Sequence, residues 1–492
     1  MNLSFLPRLH AQWAPSIPRE LLAGAVATFA LIPEVIAFSF VAGVDPSVGL
    51  FASFVISIVI AFFGGRPAMV SAAAGSVALV AAPLVASHGI QYLFAAGLLA
   101  GLMQIAFGLC KMGMLMRFVS SSVRTGFVNA LAILIFAAQL PHLAGANMPT
   151  WMMLALGLLI IYGVPWLGQR WQLKALIVVP SPLICVVALT IVTAAMGLPL
   201  ATVADLGNLP QAFPTFDWPQ VPVSVETLRI IVLPALAIAM VGLLESVLTA
   251  SVVDEMTNTP SDKNRECTGL GLANMASSVF GGIAGCGMIG QAVGNVKYGG
   301  RGRLSTLFAG VFLLILMVAL KPWVSQVPVV ALVAIMVMVS ASTFDWKSLG
   351  NMVRYPRLSS GVMLATVVMT IATHNLAVGV IVGVVLSGVF FTFKVAQMLQ
   401  VTHEDDVVTG LRTWRVSGQV FFASADALVE CFDVLAVAGK SVRIDVSGAY
   451  FWDITAIGAL HKVVARLEQH GCTVEVIGMD SRGERLVQRM KL

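Results

Sequence analysis

Pro67-Ala-Met-Val-Ser-Ala-Ala-Ala-Gly-Ser-Val-Ala-Leu-Val80 and Gly281-Gly-Ile-Ala-Gly-Cys-Gly-Met-Ile-Gly-Gln-Ala-Val-Gly-Asn295 are apolar enough for a bilayer. Both are too interrupted by small residues to cross it as ordinary helices. A helical span needs about 20 apolar residues. Non-helical backbone inside a membrane survives only where protein or a water-filled cavity shelters it. Each stretch therefore reads as a broken span. Two half-helices meeting N-terminus to N-terminus would aim free N–H groups and positive dipole ends at one point. That is an anion site made mostly of backbone, with Gly75, Ser76 and Val77 on one side and Gly290, Gln291 and Ala292 on the other. Ser76 and Gln291 would add side-chain donors. The competing reading is close helix packing through small residues; the recurrence of the feature in both halves favours the site.

Outward from these stretches, the chain is dominated by apolar runs. It has 492 residues, 58% hydrophobic and 11% charged, against about 25% charged in soluble domains. Predicted spans cover residues 21–43, 47–63, the broken 69–87, 93–110, 118–140, 151–167 and 175–196. A polar, Pro-rich seam at 199–226 follows. The second set is 227–253, 269–284, the broken 286–296, 304–320, 327–343, 358–373 and 376–393. Seven spans per half invert the second half against the first, and such repeats place substrate near the midplane. Two offsets support the repeat. Glu34 in span one and Glu245 in span eight are 211 positions apart, and Gly75 shifted by 211 lands on Cys286.

The net charge of +5 does not point to nucleic acid, because the basic residues lie in short loops. Arg66, Lys111, Arg117, Arg124, Arg170, Lys174, Lys263, Arg265, Lys297, Arg301, Arg303, Lys347, Arg354 and Arg357 fall on one side. Little beyond Arg229 and Lys321 falls on the other. The positive-inside rule puts both termini in the cytoplasm of a multi-pass protein of the cell inner membrane. No cleavable signal peptide is visible, and residues 1–20 read as a short cytoplasmic segment.

Glu34 and Glu245 are the carboxylates well inside predicted spans. An ionisable group there is costly and marks an ion path or proton relay; the plainer reading of Glu245 is a hydrogen bond to Ser246 or Thr249. Asp254 and Glu255 read as capping or loop-pairing residues beside Lys263 and Arg265. Six scattered cysteines and seven dispersed histidines form no metal or disulfide pattern. No Walker sequence or hydrolytic triad is present, so the reading is a gradient-driven transporter without cofactor, not an enzyme.

Past Lys394 the chain reads as a soluble α/β domain over 410–492, joined by a linker at 398–409. Its order is β-β-α-β-α-β-α. Residues 412–422 read as a hairpin turning at Ser417-Gly418. A helix over 425–438, a strand over 441–446, a helix over 455–470 capped by Asp453 or Thr455, a strand over 473–478 and a helix from Ser481 follow.

Several of these stretches resemble the SulP anion transporters. They are Leu31-Ile-Pro-Glu-Val-Ile-Ala-Phe-Ser39, Asp254-Glu-Met-Thr-Asn-Thr259, Asn264-Arg-Glu-Cys-Thr-Gly-Leu-Gly-Leu-Ala-Asn274 and Gly294-Asn-Val-Lys-Tyr-Gly-Gly-Arg301. Asp445-Val-Ser-Gly448 and Asp453-Ile-Thr455 resemble the loop of a STAS domain. The resemblance covers nearly the whole chain. It implies fourteen transmembrane segments in the 7+7 inverted repeat of uracil-permease type, split into core and gate domains, with repeats over about 21–198 and 226–397. It also implies a homodimer, and substrate between the third and tenth segments. Thr249 falls where sodium-coupled members use a hydroxyl, and Ser447 and Thr455 fall at STAS loop positions linked to regulation or to a cytoplasmic protein partner. Gln291 stands where many members have arginine, which counts against classical sulfate transport. Glu34 replaces a common glutamine, which favours proton coupling. The expectation is an anion:proton symporter, with a small dicarboxylate such as fumarate as first substrate. Sulfate or bicarbonate, with or without sodium coupling, is second; a passive channel or an anion sensor stands outside the class.

Overall fold

The computed structural model describes residue 13 and residues 15–111, 119–172, 180–206, 216–319, 321–354, 356–373, 375–406 and 411–490. Expectations at Arg117, Lys174, residues 1–12 and part of the seam lie outside them. The chain forms two compact units, divided at Val384 inside the last span.

The membrane unit has seven segments before the seam. They are α1 (Ile17–Ala42), α2 (Pro46–Phe63), β1 (Ser71–Ala73) with α3 (Gly75–His88), α4 (Ile90–Leu109), α5 (Ser121–Ala137), α6 (Met148–Arg170) and α7 (Ser181–Met196). Seven follow it: α8 (Val225–Thr257), α9 (Lys263–Val279), β2 (Gly285–Gly287) with α10 (Ile289–Lys297), α11 (Arg303–Ala319), α12 (Val329–Thr343), α13 (Arg357–Thr373) and α14 (Leu376–Ala396). The third and tenth are broken as the sequence suggests.

Local chemistry sets the ends. α1 stops at Gly43, whose φ of 74° suits glycine. Ser224 caps α8 by accepting from the Thr227 N–H. Asp262 caps α9 by accepting from Asn264 and Arg265. That cap starts α9 at Lys263, six residues before the apolar run, so the first turns of this span are polar.

The helices pack in two groups. α9 lies on α4 and α2, α11 on α1 and α2, and α8 on α3 and α4, forming a core. α13 lies on α5, α12 on α5 and α6, and α7 on α6, forming a gate. Close packing through small residues does occur, but between α4 and α9. A Cβ on Gly101 would stand 2.6 Å from the Gly271 carbonyl oxygen, and one on Gly271 would stand 2.5 Å from that of Gly101. In the broken segments the small residues serve the strand pair. β1 and β2 run antiparallel, pairing Ser71 with Gly287, Ala72 with Cys286 and Ala73 with Gly285. A Cβ on Gly285 would reach within 2.0 Å of the Ala72 carbonyl oxygen.

The second unit is a four-stranded sheet in the order β3 (Gln400–Asp405), β4 (Arg412–Val420), β5 (Ser441–Phe451) and β6 (Thr473–Ile477). β3 is antiparallel to β4 and the rest are parallel. The helices are α15 (Ala425–Glu430), α16 (Ile454–Gln469) and α17 (Ser481–Met490). Trp414, Val416, Ile444, Val446, Leu460 and Leu467 fill the core. The element order is as expected, but three assignments need correction, the first being that β5 runs on to Phe451 past the expected end at residue 446. Residues 412–422 are not a hairpin: β4 runs straight through Gly418, whose φ of 99° accompanies a register slip between Arg415 and Ser417. The antiparallel partner is β3, which lies inside the stretch expected to be linker. The first helix is also shorter than 425–438, ending at Glu430 and followed by a 3₁₀ turn at Leu435–Val437.

Candidate substrate site between the two broken spans

The strand pair brings the starts of α3 and α10 together. Each helix has a preceding residue in extended conformation, Ala74 and Met288, and neither donates a side-chain cap. The first intrahelical bonds run from the Ala78 N–H to the Ala74 carbonyl and from the Ala292 N–H to the Met288 carbonyl. The amides of Gly75, Ser76 and Val77, and of Ile289, Gly290 and Gln291, therefore have no intrahelical acceptor. The helix starts, 75 and 289, differ by three residues more than the glutamate offset. The structural counterpart of Gly75 is thus Ile289 rather than Cys286.

A cavity of about 300 Å³ opens at these termini. Core residues Glu34, Phe38, Gly75, Ser76, Glu245, Gly290 and Gln291 line it. Gly290 has no atom within 4 Å of where its Cβ would stand, so its face of the cavity is open. Gly75 lies under the Phe38 ring, which a Cβ would meet at 2.6 Å.

The two glutamates are held across the repeat. Gln291 Nε2 in the tenth segment donates to Glu34 Oε2 in the first at 2.8 Å. Ser76 Oγ in the third donates to Glu245 Oε2 in the eighth. Cys286 Sγ donates to the same oxygen at 3.1 Å. Ser76 and Gln291, expected as donors to substrate, are thus engaged with the carboxylates. Glu245 does not bond Ser246 or Thr249. The Gly287 N–H donates to Ser246 Oγ at 2.8 Å, and Thr249 Oγ1 donates to the Gly287 carbonyl at 2.9 Å. Those two hydroxyls hold β2 from behind.

Val77, Ala292 and Thr249 stand outside the cavity. Val77 and Thr249 are fully buried, and Ala292 packs with Ala68, Met69, Ala250, Val253 and Val296. Asp254 pairs with Lys263 at 2.7 Å and with Arg66 at 3.2 Å, tying the end of α8 to the loop before β1. Arg265 donates instead to the Phe62 and Phe63 carbonyls. In the second unit Ser447 and Thr455 are exposed. The backbone N–H of Ser447, then its hydroxyl, hold the Asp445 carboxyl below the ordinary carboxylate range. Asp453, not Thr455, caps α16, accepting from the Ala456 N–H at 2.9 Å.

The sulfate permease family model matches residues 17–148 and 142–366, and the STAS domain model matches 399–492. The chain belongs to the sulfate permease family. It is 48% identical over the full length of both chains to the putative sulfate transporter YbaR of Bacillus subtilis. It is 24% identical to the bicarbonate transporter BicA of Synechocystis, over 96% of this chain and 90% of that one. Among solved structures, SLC26A9 shares the fold at a TM-score of 0.82 and 17% identity, covering 100% of this chain and 89% of the other. The protein is therefore a membrane-spanning anion transporter, not an enzyme.

The gate side of the cavity wall in this sulfate permease leaves little signal in the sequence. Phe127, Val128, Leu131 and Ile135 of α5 and Met338, Val339, Ser342 and Thr343 of α12 close the cavity from the gate. Most are apolar residues in apolar spans, and only Ser342 and Thr343 carry a polar signal. Among the described residues, no lysine or arginine lines it.

Proposed function

We propose that the protein carries a small anion together with a proton, by movement of the core against the gate, with a small dicarboxylate such as fumarate as the first class to test. One observation carries this reading: two glutamates and two half-helix N-termini share a cavity that no basic residue among the described residues lines. Two unit charges about 4 Å apart interact by about 4 kcal/mol at an effective dielectric of about 20. An anion beside two ionised carboxylates is therefore opposed, and a proton on either removes much of the opposition. Substrate and proton then favour each other, which is the thermodynamic content of symport. The helix ends supply the attraction that remains.

Glu34 is the proposed proton carrier because, among the described residues, it has one side-chain donor where Glu245 has two. Sulfate and bicarbonate, named for YbaR and BicA, form the second substrate class. Both termini in the cytoplasm, a homodimer in the inner (plasma) membrane and a protein partner for the STAS domain complete the reading.

The test is uptake in proteoliposomes, using fumarate, sulfate and bicarbonate under imposed pH and sodium gradients. Glu34→Gln is expected to keep counterflow exchange and to lose accumulation driven by an inward proton gradient. Full proton-driven accumulation in both Glu34→Gln and Glu245→Gln would overturn the coupling. Accumulation driven by sodium alone would replace the proton.

A further inference from the structure

A second cavity lies on the same core–gate seam and differs from the first in every chemical respect. It measures about 260 Å³. Its walls come from α1, α2 and α11 of the core and from α7 and α12 of the gate. Among the described residues, no charged side chain lines it. Of its two polar side chains, Thr190 spends its hydroxyl on the Val186 carbonyl at 2.7 Å. Gln326 is exposed, and its backbone N–H donates to the Trp323 carbonyl at 3.2 Å. The remaining wall is hydrocarbon, with Ile32, Ile36, Leu183 and Leu316 among its residues.

Water gains little in such a place. Apolar cavities of about 150 Å³ stay dry and take up benzene-sized hydrocarbons instead, and this one is larger. Apolar residues of its wall are also exposed on the outside of the helices. Val187, Ile191 and Trp323 are 50%, 61% and 70% exposed on membrane-spanning or span-flanking segments. In a bilayer such outward apolar faces meet acyl chains. An indole and an amide at one end suit the boundary where chains give way to headgroups.

The cleft also touches the transport machinery from behind. Pro33 and Glu34 are neighbours on α1, yet Pro33 lines this cleft and Glu34 lines the substrate cavity. Anything seated here presses on the far side of the turn that holds Glu34. It also bridges the two groups of helices whose relative motion the proposed transport cycle requires.

We propose that the cleft binds one acyl chain of a membrane lipid, whose headgroup stays near Gln326 and Trp323, and that its occupancy slows core movement against the gate. The functional half rests on the alternating movement proposed above; the binding half does not. The probe is phosphatidylglycerol carrying a diazirine near the end of one acyl chain, in vesicles containing the full-length protein. Photolysis followed by peptide mass spectrometry is expected to place adducts on Leu183, Val186 or Ile36 inside the cleft. Ala194→Phe and Thr190→Leu, which fill the cleft, are expected to lower those adducts several-fold while adducts on outward-facing Phe391 persist. Adducts confined to outward faces, or cleft adducts unchanged in both filling variants, would overturn the binding site. Fumarate, sulfate and bicarbonate counterflow separates the two claims. Faster exchange in Thr190→Leu supports the slowing role. Loss of cleft adducts with unchanged exchange would overturn that role and leave the site standing. Absence of exchange of any of these anions in the unmodified protein would count against the proposed transport and leave the adduct result unaffected.

Discussion

Glu34 and Glu245 occupy equivalent places in the two halves, yet they are held differently. Glu245 Oε2 receives a hydroxyl and a thiol, while Glu34 Oε2 receives one carboxamide N–H. The positions behind them differ as well. Thr249 clamps the Gly287 carbonyl, whereas Phe38, its counterpart at the same offset, lies over Gly75 and lines the cavity. The repeat thus supplies a symmetric frame, and individual side chains hold the carboxylate of one half with more donors than that of the other. A proton carrier belongs where fewer fixed donors stabilise the charged form.

The largest expected effect comes from breaking the frame itself. Gly285→Ala would drive a methyl into the Ala72 carbonyl and separate the strands that carry both half-helices. Loss of all anion binding is expected, together with a lower melting temperature of the purified protein. Next is Gln291→Glu, which exchanges an N–H donor to Glu34 for a second carboxylate. Repulsion of about 4 kcal/mol corresponds to roughly a thousandfold weaker anion binding. Equilibrium binding should recover as pH falls, since an added proton restores the missing hydrogen bond; pH-independent weakening would show that Gln291 and Glu34 do not meet.

Trimming the donors compares the two halves directly. Ser76→Ala leaves Cys286 on Glu245, whereas Gln291→Ala leaves no side-chain donor of the described residues on Glu34. One hydrogen bond to a charged group is worth about 1.5–3 kcal/mol, so the pH dependence of binding should move more in Gln291→Ala. Equal shifts would erase the proposed difference. Gly290→Ala has open space for its methyl and should leave stability within about 0.5 kcal/mol. It should shift selectivity toward smaller anions in a competition assay. The smallest effect belongs to removal of everything after Ala396. The contrast between Glu34→Gln and Glu245→Gln should survive it, with only the rate of uptake changed.

What was legible follows from how each feature is encoded. Broken spans show as small residues where apolar bulk is expected, so the third and tenth segments could be read. Buried carboxylates show because charge is rare in spans, so Glu34 and Glu245 could be read. Their crossed partners could not, because a hydrogen bond between residues 257 positions apart leaves no local pattern. The gate wall was missed because Leu131 or Met338 differs in no chemical way from a lipid-facing neighbour. The start of α9 was missed because Asp262 caps a polar turn ahead of the apolar run. In the second unit, β3 is an edge strand of mostly exposed residues, Gln400–Asp405, so it lacks the alternation that betrays a half-buried strand. Gly418 reads as a turn because a glycine at positive φ inside a strand and one in a hairpin look alike in sequence.

The pairing of Ser71–Ala73 with Gly285–Gly287 also constrains how the protein is made. When the ribosome has delivered the first seven segments, Ser53 and Ser57 can hold the Ala73 N–H and the Ser71 carbonyl, but the β1 groups that pair with β2 still lack their partner strand, which has yet to be synthesised. Unsatisfied peptide groups in hydrocarbon cost several kcal/mol each, so the first half alone is an unfinished object in the bilayer. Completion waits on the tenth segment. A nascent chain stalled before Gly285 would therefore present an open β1 edge to membrane proteases, and one released after it would not.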